Sequence, residues 1–178
     1  MAFDIITVSP TTDGDSAHGA GDVMFNLTGF NLPARACRLI NVFMEVANGG
    51  GEDDTKIGLL FFKKNTTPTL GTLVATANIA HAAFTANEYI GSVFMGLTDS
   101  DGKDLDVIDT TALYYGMSQS QYAASTRGGG PMESMVLMTD KSGDNLFTNT
   151  MYMGGVVHSG APEFDVDNNV KIHLHIEF

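Results

Sequence analysis

The sequence predicts an all-β protein, a β-sandwich or jelly roll of about eight or nine mostly antiparallel strands with at most one short helix. Three observations carry that prediction. Short apolar runs recur at fairly regular spacing, separated by clusters of Gly, Pro, Asn and Asp. No stretch sustains a helical period. The last nine residues alternate strictly, with Val170, Ile172, Leu174, Ile176 and Phe178 on one parity and Lys171, His173, His175 and Glu177 on the other. Side chains alternate across a strand, so this segment has one dry face and one wet face. The five apolar residues are expected to face the core.

The remaining elements follow in chain order. Phe3 to Val8 reads as a first strand, ended by Ser9-Pro10. Thr11 to Asp22 is rich in Asp, Gly, Ser and Thr and reads as an exposed loop. Val23, Phe25 and Leu27 alternate with Met24 and Asn26 as a short strand, and Gly29 to Pro33 should turn the chain. Cys37 to Ala47 is a long strand. Ile40, Val42, Met44 and Val46 form its apolar face, and Leu39, Asn41, Phe43 and Glu45 a mixed one. Asn48 to Asp54 is a glycine-rich, acidic hairpin tip. Ile57 to Phe62 is apolar on both faces, which predicts a central strand, and Lys63-Lys64 closes it.

Thr66 to Ala86 is broken by Pro68 and Gly71. Within it, Val74 to Ala86 stays open between a short helix and a weak strand, because its Ala content favours helix while Thr76 and Asn78 oppose it. Glu88 to Gly96 is a strand, Asp99 to Asp104 a turn, and Leu105, Val107, Leu113, Tyr115 and Met117 share one parity of the next long strand. Ser118 to Thr126 is polar and Arg127 to Pro131 is a second glycine-rich tip. Met135 to Met138 is a strand, Asp140 to Asn145 a turn, and Leu146 to Val157 a strand. Gly154-Gly155 inside it predicts a bulge or a close approach. Gly160 to Asn169 is the last loop. No internal repeat or charge block marks a second domain, so residues 1–178 read as a single domain.

Composition narrows the function classes. Charged residues are only 17% and hydrophobic residues 43%, so the polar surface is carried by Thr, Ser, Asn and Gly. Uncharged polar groups are cheaper to desolvate than charges, which suits extended protein–protein contact. The net charge is −12, with 9 Lys and Arg. That leaves no cationic footprint for a nucleic acid and disfavours an anionic membrane surface. One cysteine, Cys37, permits no intrachain disulfide and fits a reducing compartment such as a bacterial cytoplasm. Met1 to Ile5 lacks the charged start and apolar run of a signal peptide, and no stretch has the length of a membrane-spanning helix.

Several patterns touch on chemistry. His173 and His175 point the same way with Glu177 in the same row, as on the metal-binding strand of cupins. The acid comes too soon, however, and no later strand supplies a further ligand. Asp99 to Asp106 has the alternating carboxylates of a calcium loop. Its Gly stands fourth instead of sixth, and its twelfth residue is Thr110. Neither glycine tip continues into the Lys-Ser/Thr of a phosphate loop. Cys37 lies between Arg35 and Arg38, cations that would lower a thiol pKa, but no His stands in a cysteine-hydrolase context. Ser159-Gly160 follows His158 and makes no nucleophile elbow. Asn26 and Asn65 are formal glycosylation acceptors. The expectation is a protein that is no enzyme, with no catalytic, cofactor-binding or metal residue and no cofactor.

The strand Cys37 to Ala47, the hairpin into Ile57 to Phe62, the Gly-Gly strand Met151 to Val157 and the alternating close resemble virion structural proteins of tailed bacteriophages. More narrowly, they resemble head decoration (cement) proteins with a β-sandwich or jelly-roll core. The resemblance implies a protein that binds the outside of an icosahedral head, with the major capsid protein as partner, often as a homotrimer. It would stabilise the shell against packaged DNA and sit on the virion surface after assembly in the host cytoplasm. The alternative is a carbohydrate- or receptor-binding module of a virion fibre or tail, for which Tyr114, Tyr115 and Tyr122 would supply aromatic platforms.

Overall fold

The computed structural model describes residues 2–13, 16–47, 49–50, 56–66, 70–96, 111–117, 135–139, 141–142, 146–147, 149–160, 163–164 and 170–178. Within them the chain is all-β and sandwich-like. The strands are β1 (Phe3–Val8), β2 (Val23–Asn31), β3 (Ala36–Ala47), β4 (Lys56–Phe62), β5 (Tyr89–Gly96), β6 (Thr111–Met117), β7 (Met135–Met138), β8 (Thr150–Ser159) and β9 (Val170–Glu177). One short helix, α1 (His81–Ala86), lies between β4 and β5. Two small ladders join Lys141–Ser142 to Leu146–Phe147 and Gly49–Gly50 to Glu163–Phe164.

The hydrogen-bonded order runs β1-β9-β3-β6-β5-β4-β8-β2, with β7 pairing the start of β3 beside β6. Leaving β7 aside, the first strand pairs with the last, the second with the second-last, the third with the third-last and the fourth with the fourth-last. A long two-stranded ribbon rolled up on itself gives that order, which is the jelly-roll topology. β1, β9, β3 and β6 form one antiparallel sheet, and β5, β4, β8 and β2 the other. The β5–β6 ladder joins them. Their inner faces share one core, in which Ile172, Leu174, Val42 and Met44 from the first sheet meet Leu59, Phe61, Met153 and Phe25 from the second.

β9 follows its alternation: Val170, Ile172, Leu174 and Ile176 are fully buried. Phe178 departs from the expectation and is 42% exposed. It pairs with Ala2 through two backbone bonds of 2.9 and 3.0 Å, one step past the reach of the opposite sheet. The inward parity of β1 loses its cover in the same direction, from buried Val8 through half-buried Ile6 to exposed Asp4. The sandwich is open at that end.

β3 corrects a second expectation. Leu174 pairs Val42 and His175 pairs Asn41, but Ile176 pairs Leu39, so Ile40 is the extra residue of a β-bulge. A bulge inverts the parity on one side of itself. The core face therefore reads Cys37, Leu39, Val42, Met44 and Val46, and Ile40 is only half-buried where the uninterrupted alternation placed it inside. β4 is central as expected, flanked by β8 and β5 and buried on both faces.

The outer face of the second sheet is covered by the chain's own excursion between β4 and β5. Leu70, Leu73, Ala77, Ile79 and Phe84 pack on Leu27, Leu60, Phe62, Tyr152 and Val156. The open choice for Val74 to Ala86 resolves into both parts. Thr76 and Leu73 bridge to Asp22 and Val23, and His81–Ala86 turns into helix. Six residues without a side-chain cap are too few for an independent helix, so packing holds it. The Phe84 ring meets Phe62 edge-on at 5.5 Å and lies 4.6 Å from Tyr89. Asn87, fully buried, ties the base: its Oδ1 accepts from the Thr66 N–H and the Thr66 hydroxyl, both at 2.8 Å.

Gly154-Gly155 serves as both a bulge and a close approach. The ladder to β2 shifts on either side of Gly155. A Cβ on Gly155 would stand 2.3 Å from Phe25 on the inner face, and one on Gly154 would stand 2.5 Å from Leu70 on the outer face. Other boundaries move. β2 continues through Gly29 to Asn31 where a turn was expected, and Leu146–Phe147 separates from β8, which begins at Thr150. β5 starts at Tyr89, because Glu88 has a φ of 52° and cannot sit in a strand. Gly49–Gly50 and Glu163–Phe164 pair with each other instead of lying in loops. The stretches Asp99 to Asp106 with Val107 and Thr110, and Ser118 to Pro131, lie outside the described residues.

Candidate functional site

The two outer faces differ. The second sheet is covered by the excursion; the first presents the wet side of β9, flanked by β1 and β3. Register sets the rows. Lys171 stands opposite Glu45, His173 opposite Phe43 and Thr7, His175 opposite Asn41 and Ile5, and Glu177 opposite Arg38 and Phe3. Directly opposed residues share a face, so these side chains form one surface.

At its middle, the Phe43 ring stacks on His173 at 4.4 Å and 20° and meets His175 edge-on at 5.4 Å. Nδ1 of His173 and the Thr7 hydroxyl share a hydrogen bond of 3.1 Å. Nε2 of His173 is 3.7 Å from a Glu45 oxygen, beyond hydrogen-bond length. Nε2 of His173 and of His175 are both shielded from solvent without a hydrogen-bond partner among the described residues. The Lys171 ammonium donates to Glu45 at 2.9 Å. That hydrogen bond, with the Lys171 charge and His173, holds the Glu45 carboxyl below its ordinary 4.5 against the opposing effect of burial. His173 and His175 do share a face with Glu177, as their spacing predicts. Among the described residues, though, no group of three His, Cys, Asp or Glu is placed to hold a metal ion.

Cys37 is buried, and its thiol donates to the Ala34 carbonyl at 3.5 Å. Burial pushes the thiol above its ordinary 9.0, the reverse of what flanking arginines alone would do. Asn26 is no open glycan acceptor. Its Nδ2 donates to the Gly71 carbonyl at 3.1 Å and its Oδ1 accepts from Leu70 N–H at 2.6 Å, pinning the excursion to β2. The Asn65 Oδ1 is buried without a partner among the described residues. Tyr114 and Tyr115 stand on β6 opposite Met44 and Phe43 in the register, and Tyr122 lies outside the described residues.

The feature that sequence reasoning missed is the open end of the first sheet. Phe3 (65%), Ile5 (56%), Val136 (61%), Met138 (40%) and Phe178 (42%) are all exposed there. A cleft of about 490 Å³ opens beside them, lined by Ala36, Cys37, Arg38, Val136, Glu177 and Phe178. The signal was available. Phe3 to Val8 and Met135 to Met138 carry apolar residues on both parities, which in an outer strand leaves one apolar face uncovered. In comparisons with known proteins, no family model matches this chain, and neither a curated protein nor a solved structure matches it.

Proposed function

We propose that this chain is a non-enzymatic decoration protein that binds the outer surface of a phage head and stabilises the shell. The observation that carries the reading is the jelly-roll strand order, an architecture that recurs in viral capsid proteins. It is joined to a surface in which charged residues are only 17% of the chain. In this reading the partner is the major capsid protein, the working form is a homo-oligomer such as a trimer, and the location is the virion surface. A rigid double sheet with one outer face covered by its own excursion acts as a clamp and needs no reaction centre.

The test is co-sedimentation of the purified protein with expanded empty heads, followed by imaging of the particles. The expected result is extra density at regular lattice positions and greater resistance of the heads to heat. Heads that remain bare at saturating protein would sink the proposal. A second reading, a carbohydrate- or receptor-binding module, draws on Tyr89, which is 38% exposed beside the Phe84 ring. Glycan-array binding that is lost in Tyr89→Ala would favour it.

A further inference from the structure

Among the described residues six large apolar side chains are exposed, and all but Tyr89 gather at the open end of the first sheet. Scattered single apolar residues are ordinary, but a gathered set marks a contact surface. Here the set is organised. Phe3 on β1 stands opposite Glu177 on β9, Glu177 opposite Arg38 on β3, and Arg38 opposite Val136 on β7. Strands lie about 4.8 Å apart, so the row spans roughly 15 Å. A projecting ring, Phe3, stands at one end of it. At the other end lies a hollow of about 490 Å³ between Arg38, Val136, Glu177 and Phe178, roomy enough for an aromatic side chain.

We infer that this end is a self-association surface, on which Phe3 of one copy seats in the cleft of a second copy. Two observations choose a second copy as the occupant. Phe3 and three residues of the hollow, Arg38, Val136 and Glu177, share one face by register, so a single surface carries both halves of the contact. Its central ion pair also suits a second copy: Arg38 and Glu177 are 3.5 Å apart, and a second copy presents the same pair to them. The Asp4 carboxylate beside Phe3 adds one negative charge per copy, which salt screens.

The contact is made by side chains and not by an added strand. Ala2 and Phe178 exchange both backbone bonds, so the N–H of Ile5 points away from β9, toward the open edge of β1. The Asp4 carboxylate already accepts that N–H at 2.8 Å. A capped edge resists indiscriminate strand pairing and leaves the specific knob-and-hollow contact. Reciprocal seating gives a two-fold dimer, and head-to-tail seating gives a closed ring such as a trimer. The inference is independent of what the protein decorates.

Sedimentation velocity over a dilution series tests it, with Phe3→Ser, Val136→Glu and, as a control away from the surface, Tyr89→Ser. The expected result is a dimer or closed ring for the parent and Tyr89→Ser. Phe3→Ser and Val136→Glu should each weaken it by about 100-fold or more in Kd, as loss of an anchoring contact does. All three substituted residues are solvent-exposed, so unchanged circular dichroism and melting temperature separate lost contact from lost fold. A parent that stays monomeric at the highest concentration reached overturns the inference. So does an oligomer that both substitutions leave intact. If the parent is monomeric and the substitutions abolish binding to empty heads instead, the cleft belongs to the shell and self-association is wrong.

Discussion

Glu45 shows how one side chain can set a pH limit on this surface. It accepts from Lys171 and faces His173 across β3 and β9, and its carboxyl is held below 4.5. A carboxyl whose folded pKa is depressed stabilises the fold above its unfolded pKa and loses that contribution as pH falls through the folded value. Lys171 is half in solvent, which screens the pair, so the expected worth is about 0.5–1 kcal/mol. Urea titrations of the parent and Glu45→Gln should differ by that amount at about pH 7 and converge at about pH 3. A gap that survives in acid would assign the effect to packing. Val74 offers the opposite case. Its φ of 57° puts a β-branched residue in the left-handed region. Val74→Gly should therefore raise stability by about 1 kcal/mol, seen as a higher melting temperature. A fall would mean that the greater freedom glycine gives the unfolded chain outweighs the strain. Neither feature was legible in the sequence. Glu45 could be placed on the mixed face of its strand, but not opposite Lys171, because register between strands far apart in the chain leaves no local trace. Val74 carries no turn residue that would announce its conformation.

The strands themselves were legible, since period-two alternation is local. β1, β3, β4, β5, β7 and β9 were expected within a few residues of where they form. What failed was the parity of β3 across its bulge, because an extra residue at Ile40 is invisible until Leu39 and Val42 are both seen facing β9. Gly154-Gly155 was legible as an irregularity, and its purpose emerged only with the partners on each face. The two glycines predict different failures. Gly155→Ala drives a Cβ into the Phe25 ring inside the sandwich, and should cost about 1–3 kcal/mol of global stability. Gly154→Ala meets Leu70 on the outside, where the excursion can lift. Hydrogen exchange separates them. Amides of residues 70–87 should lose protection in Gly154→Ala while β9 and β3 keep theirs, and Gly155→Ala should weaken protection throughout. Equal loss of protection in both sheets for Gly154→Ala would show that the excursion and the sandwich are one cooperative unit.

At the scale of the molecule, the fold class was readable and the strand order was not, because the jelly roll is defined by pairings between distant segments. Phe3 pairs Glu177, Val46 pairs Val170 and Phe30 pairs Met151. Such pairings must close long loops before any contact rewards them, which places folding in the slow range of about milliseconds to seconds. A circular permutant turns this into a test. Ala2 and Phe178 are already bonded to each other, so a short Gly-Ser linker can join them, with the chain reopened between Gly129 and Gly130 in its glycine-rich stretch. β1 and β9 then become neighbours in a hairpin. The β9–β3, β8–β2, β8–β4 and β7–β3 ladders are shortened in sequence as well, while those within residues 2–129 are unchanged. The native contacts stay the same, so folding should accelerate by about threefold or more while unfolding changes little, as read from the two arms of a chevron plot. If folding kept its rate, the ladders that the permutation shortens would have to form after the rate-limiting step. The β3–β6, β5–β6 and β4–β5 ladders, unchanged in sequence, would then be where this ribbon begins to roll.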